Sequence, residues 1–256
     1  MLDRIAAILS TSESATPVLP ATQLYNEGWM LRLALEWYSK NEAPGSPLRF
    51  LKSSRWFSEA LLPSHFRPRK RDDRTAESWT HADGVIGHFT CSGAGGARLF
   101  LTPDATRLVV TEAKLNSPLS GGTKNAPAFD QAARNVACIA ELLFEARRPP
   151  RELKRIAFFV VAPAEAVSAG VFAPLMEKAS MEEKVRLRVA SYEPKRTEWL
   201  EEWFLPTLER IELGALTWET ISNDVATRDP EYGSAYAEFY AKCRAANRVA
   251  TPRVRA

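Results

Sequence analysis

Three cysteines and three histidines in 256 residues leave little material for a disulfide framework or a zinc site. Cys91, Cys138 and Cys243 are odd in number, widely spaced, and accompanied by no CxxC pair and no histidine cluster. Long apolar runs are missing too: no uninterrupted stretch approaches the roughly 20 residues that a membrane-spanning helix needs, and the N-terminus lacks the basic-then-apolar pattern of a secretory signal. The expectation is a cytoplasmic protein with no membrane partner. Excess charge of one sign is also absent. A net charge of +3 does not mark a nucleic-acid binder, and the chain carries no internal repeat, no low-complexity tract, no RNA-recognition signature and no sequence-reading helix-turn-helix.

What remains is the composition of a packed enzyme: 45% hydrophobic and 25% charged residues, with a length that fits one large domain. We expect a single domain over 1–256, with a core at about 22–165 and a helical extension at about 174–250. The basic residues are unevenly distributed. Arg67, Arg69, Lys70 and Arg71 crowd one loop that runs into Asp72-Asp73-Arg74, and the tail from Lys242 carries Arg244, Arg248, Arg253 and Arg255 with no acidic residue. Either group could meet phosphates, although a charge run is more often a solvated loop.

Along the chain, Leu24, Leu31, Leu35 and Tyr38 recur at helical intervals and predict a helix over about 22–40, stopped by Pro44, Gly45 and Pro47. The aromatic segment 55–62 fits either regular structure. Residues 84–91 read as one strand, followed by the turn Ser92-Gly93-Ala94-Gly95-Gly96, and residues 98–102 and 107–114 read as a hairpin closed by Pro103-Asp104-Ala105-Thr106. After a polar loop, Ala133, Val136, Ile139, Ala140 and Leu143 give helical periodicity over 129–145, and the apolar run 155–161 suits a strand covered on both faces. Helices near 174–184, 196–210 and 232–248 and a short strand or turn near 211–216 complete the reading. The order of elements gives an α/β fold, a mixed β-sheet flanked by helices with additional helices at the C-terminus.

The segment Leu108-Val109-Val110-Thr111-Glu112-Ala113-Lys114 carries the chemistry. Side chains alternate along a strand, so Glu112 and Lys114 share a face and Ala113 points away. A carboxylate and the neighbouring backbone carbonyl can supply oxygens to a hard divalent cation, while an ammonium beside them can orient a water and offset charge on a phosphate. An E-x-K triplet alone could equally be a solvent-facing ion pair. Its company is more informative: an otherwise apolar strand, the triplet at the strand's C-terminal end, and an Asp-Gly pair opening a strand upstream.

Asp83-Gly84-Val85-Ile86, then Glu112-Ala113-Lys114, then the helix Gln131-Ala132-Ala133-Arg134-Asn135 resemble the successive motifs of the PD-(D/E)XK nuclease superfamily over about residues 80–145. The resemblance implies a restriction-endonuclease-like sheet, Asp83 and Glu112 (with the Ala113 carbonyl) as ligands of Mg²⁺ or Mn²⁺, Lys114 as a catalytic residue, and Gln131 in support. It also implies nucleic acid, by the superfamily's habits DNA, as the substrate. The first core helix of such proteins often adds a glutamate, for which Glu27 is the candidate; a solvated helix charge is the other reading. Gln131 and Arg134, one turn apart, could face a phosphate together or form a helix-surface pair. A nuclease fold kept for non-cleaving nucleic-acid binding, or an assembly protein with Trp199 and Trp203 at a homo-oligomer interface, are the competing readings.

Two departures from the pattern stand out. Ala82 replaces the proline, and 28 residues lie between Asp83 and Glu112. In an up-down-up meander of three strands, the start of the first and the end of the third lie at opposite ends, roughly 26 Å apart over eight residues. Asp83 can join Glu112 only if its strand bends or pairs in another order.

Overall fold

The computed structural model describes residues 7–16, 18–73, 75–77, 79–92, 97–123, 125–192 and 195–247. Helix α1 (Glu27–Lys40) is followed by the short strands β1 (Arg55–Phe57), β2 (Ala60–Leu62), β3 (Thr80–Ala82), β4 (Gly84–Gly87), β5 (Phe89–Ser92) and β6 (Arg98–Leu101), and by the longer β7 (Arg107–Ala113). Then come α2 (Gln131–Glu145), β8 (Arg155–Ala162), α3 (Lys178–Ser191), β9 (Glu212–Thr217), α4 (Trp218–Arg228) and α5 (Pro230–Ala246). The molecule is α/β. A five-stranded mixed sheet has the order β1-β4-β7-β8-β9, and a four-stranded sheet has the order β3-β2-β6-β5.

The central strands β7 and β8 are parallel and joined through α2, the connection that parallel pairing requires. Both are covered on both faces, which is why their sequences run apolar without alternation. On one face Val85, Leu108, Val110, Phe158 and Val160 pack with α2 through Ala133, Val136 and Ala140. On the other, Ile86, Val109, Ala113, Phe159 and Val161 pack with Leu31 and Leu35 of α1 and with Trp218 and Tyr236. Asn26 and Asp130 cap α1 and α2, their side-chain oxygens accepting from Trp29 N and Ala133 N, each at 3.0 Å.

Several sequence expectations need correction here. Residues 84–91 are not one strand: the chain bends at His88, so β4 lies in the large sheet and β5 in the small one. The bend is pinned from both sides. The His88 ring reaches the Lys52 carbonyl at 3.1 Å, its amide donates to the Arg107 carbonyl at 3.3 Å, and a Cβ on Gly87 would stand 2.4 Å from that same carbonyl, a distance only glycine tolerates. The expected hairpin of 98–102 with 107–114 does not form. β6 pairs with β5 and β2, whereas β7 pairs with β4 and β8, and Pro103 to Thr106 carries the chain from one sheet to the other. The ambiguous segment 55–62 is two strands in two sheets, split at Glu59, whose φ is 55°.

The later helices also shift. The expected helix at 174–184 starts at Lys178, the one at 196–210 contains a π-helical turn over Leu200–Phe204, and α4 was not legible in the sequence. The short strand or turn expected near 211–216 is the strand β9, parallel to β8. Trp199 is buried against His65, with ring centroids 4.5 Å apart and planes 7° from parallel, and the partly buried Trp203 packs on Phe144; neither forms an exposed aromatic face. Arg74, the turn glycines 93, 95 and 96, and Arg248, Arg253 and Arg255 with the end of the helical extension lie outside the described residues. No helix among the described residues is long and apolar enough to cross a membrane.

Gly84 is where α1, β4 and β7 meet. A Cβ there would lie 2.5 Å from Thr111 Oγ1 and 2.9 Å from both Leu31 Cδ2 and Leu35 Cδ1. Gly84→Ala is therefore expected to destabilise the protein by about 2 kcal/mol, as overpacking of a filled core does. Urea denaturation at neutral pH measures it; an unchanged midpoint would show that the junction is looser than described.

Candidate active site

The bend at His88 and the pairing order bring Asp83 to Glu112. β4 runs antiparallel beside β7 with Gly84 opposite Thr111, so the residue preceding β4 lies beside the last residues of β7. The excursion through β5 and β6 accounts for the long separation in sequence. Asp83 Oδ2 accepts a hydrogen bond from the Ala113 amide at 2.7 Å, which ties its carboxyl across the strand end. A residue's N–H and C=O point to the same side of a strand, so the Ala113 carbonyl also faces Asp83.

Faces sort the rest. Val85, Leu108 and Val110 pack toward α2, and the two-residue alternation puts Asp83, Glu112 and Lys114 on that side. Lys114 Nζ donates to Glu112 Oε1 at 2.8 Å, and Gln131 Nε2, from the first residue of α2, donates to the same oxygen. Gln131 is itself oriented by the Ser120 amide, which donates to its Oε1 at 2.9 Å. Trp218 Nε1 donates to the Lys114 carbonyl at 2.9 Å and anchors the backbone just past β7.

Glu112 is 3% exposed, and its Oε2 receives no hydrogen bond from any described donor. Burial pushes its carboxyl up to about 7, and the neighbouring charge of Asp83 adds to that shift against the pull of Lys114. Burial also raises Asp83, although the Ala113 amide and the Lys114 charge oppose it. The charge of Asp83 thus opposes ionisation of Glu112, a penalty that a bound cation would relieve.

The donor set suits a hard divalent cation: two carboxyls on adjacent strands, one with an unpartnered buried oxygen, beside a backbone carbonyl. Among the described residues no three His, Cys, Asp or Glu side chains converge, so the acidic set is the pair. Glu27 is not part of it. It is the first residue of α1, which packs on the opposite face of the sheet through Leu31 and Leu35. Arg134 is close: it lines a cleft of about 460 Å³ together with Gln131 and reaches Ser120 Oγ at 3.4 Å.

The basic loop divides. Arg67 pairs with Glu145 at 2.7 Å and lies over the Trp79 ring, and Arg69 pairs with Asp73 at 3.1 Å and lies over Tyr192, so both serve the fold. Lys70 and Arg71 are exposed and have no ion pair among the described residues. Ser120 and Trp218, which position Gln131 and Lys114, carried no signal in sequence because their partners are brought in by tertiary packing. Asp104 sits in the crossing between the sheets, and His88 is used at the bend.

The raised carboxyls set the pH dependence of stability. Glu112 binds its proton more tightly folded than unfolded, so its contribution is fully present below the usual carboxylate range and is lost as pH rises through about 7. The metal-free protein is expected to lose thermal stability as pH rises from about 4.5 to about 7, and Glu112→Gln, which keeps the shape without the charge, to flatten that slope. Melting curves across this range test it; an equally steep slope in the variant would contradict it. No protein-family model, curated protein or solved structure matches this chain.

Proposed function

We propose that this chain is a metal-dependent nuclease of PD-(D/E)XK type, built on a restriction-endonuclease-like sheet and hydrolysing phosphodiester bonds in DNA. The observation that carries the reading is the placement of Asp83 and Glu112 side by side at the end of two adjacent strands, with Lys114 held on Glu112. Structural ion pairs on a sheet are common, but a second buried acid beside the first raises the energy of both unless something charged is bound between them. Asp83, Glu112 and the Ala113 carbonyl would hold Mg²⁺ or Mn²⁺. The ion supplies Lewis acidity toward phosphate and lowers the pKa of water.

The chain's own residues divide the remaining work. Gln131 and Lys114 both donate to Glu112 Oε1, fixing the rotamer and leaving Oε2 free. The Ala113 amide fixes Asp83 in the same way. Once Glu112 has another partner, the Lys114 ammonium is free to orient the attacking water and to offset the negative charge that grows on the phosphate. Arg134, one turn from Gln131 on the rim of the cleft, holds a phosphate oxygen. The interface reading of Trp199 and Trp203 finds no support, since Trp199 is core.

Glu112→Gln and Lys114→Ala are each expected to lower Mg²⁺-dependent cleavage of DNA at least about a hundredfold, the scale on which single electrostatic groups act, while folding is retained. The assay uses duplex, single-stranded and branched DNA with Mg²⁺, Mn²⁺ or chelator. Undiminished cleavage in both variants, or no cleavage of any substrate by the parent protein, would overturn the reading.

A further inference from the structure

The cleft beside Gln131 runs from the segment leading into β3 to the first turn of α2. At about 460 Å³ it falls in the size range of sites that enclose a small molecule. That is room for one nucleotide, not for a double helix whose major groove alone is about 12 Å wide. Its lining combines an aromatic wall, Trp79, with polar groups, His81, Thr123, Asn125 and Arg134.

Trp79 is 37% exposed, which is unusual for so large an apolar side chain. Arg98 and Arg67 stack on its ring, 5.0 and 5.9 Å from the centroid, and both are tied to Glu145, so the indole is braced. Glu77, in the same lining, is 8% exposed, and its Oε1 accepts from Arg188 Nε at 2.9 Å, which holds that wall in place.

The cleft is also connected to the acidic pair. Gln131 lines it and donates to Glu112. Lys114, the other donor to Glu112 Oε1, lines a second concavity of about 390 Å³ with Asn116, Ser117 and the Arg244–Glu165 ion pair. In a duplex the base faces are stacked inside and unavailable to an indole, so a base reaches Trp79 only from an unpaired strand.

We propose that the Trp79 cleft binds one unpaired nucleotide of DNA, its base against the indole and its phosphate at Arg134 and Gln131, so that the substrate is a single strand or an unpaired stretch. The proposal deepens the nuclease reading and rests on it for the catalytic step, but the binding itself needs no cleavage.

The test measures binding of a fluorescent single-stranded oligonucleotide and of the matching blunt duplex by anisotropy, in chelator and at one ionic strength, because phosphate contacts make affinity salt-dependent. The single strand is expected to bind more tightly than the duplex. Trp79→Ala should weaken single-strand binding about tenfold or more, the scale of one base–aromatic stack, while Trp79→Phe retains most of it and duplex binding is unmoved. Circular dichroism confirms that both variants fold. Equal binding of the two DNAs, or single-strand binding that Trp79→Ala leaves unchanged, overturns the subsite. Duplex cleavage that depends on Glu112 but not on Trp79 would sink the subsite and leave the nuclease reading standing; Trp79-dependent binding without any turnover would do the reverse.

Discussion

Gly84 lies opposite Thr111 where β4 passes antiparallel to β7, and this register decides which residues can meet at the open end of the large sheet. The absence of a side chain at Gly84 lets Leu31, Leu35 and Thr111 close on the junction from three directions. Thr111 Oγ1 donates to the Gly84 carbonyl at 3.1 Å and locks the register from inside the core. A slip of one residue would turn every side chain of β4 to the other face, and Asp83 would then point toward α1 rather than toward Glu112.

From that register the electrostatics follow. Two acids at neighbouring strand ends, one almost wholly buried, are costly to ionise together, and a cation between them would lower that cost. Lys114 supplies part of the compensation and Gln131 the orientation, but Glu112 Oε2 is left with no partner among the described residues. The fold around the pair is rigid: two filled cores on either face of the sheet, capped helices, and a bend at His88 fastened by three separate groups. A well-packed scaffold that leaves an oxygen of Glu112 unsatisfied beside a second acid is the pattern expected where binding or catalysis is paid for by local destabilisation.

Much of this was legible in the sequence. β7, β8 and α2 follow from local apolar pattern, and the common face of Glu112 and Lys114 needs only the two-residue period of a strand. Asp83 entered as a partner only through the family resemblance, because the excursion of β5 and β6 into a second sheet that brings it to Glu112 is a matter of strand pairing that no local pattern encodes. Glu27 shows the opposite failure. Its place on the first long helix was read from the sequence, though that helix starts at Glu27 and not near 22, and the face of the sheet on which it packs could not be read. In the basic loop, Arg67 and Arg69 are held by Glu145 and Asp73, partners that a run of like charges hides.

The central claim is that Asp83 and Glu112 together form a site for one divalent cation. Mn²⁺ titration followed by calorimetry in two buffers of different ionisation enthalpy, near pH 7, reads both the stoichiometry and the protons released. The account predicts one Mn²⁺ per chain, release of protons from the acid pair as the ion binds, and loss of both in Asp83→Asn and in Glu112→Gln. Mn²⁺ binding that survives both substitutions, or no binding by the parent protein, would contradict it.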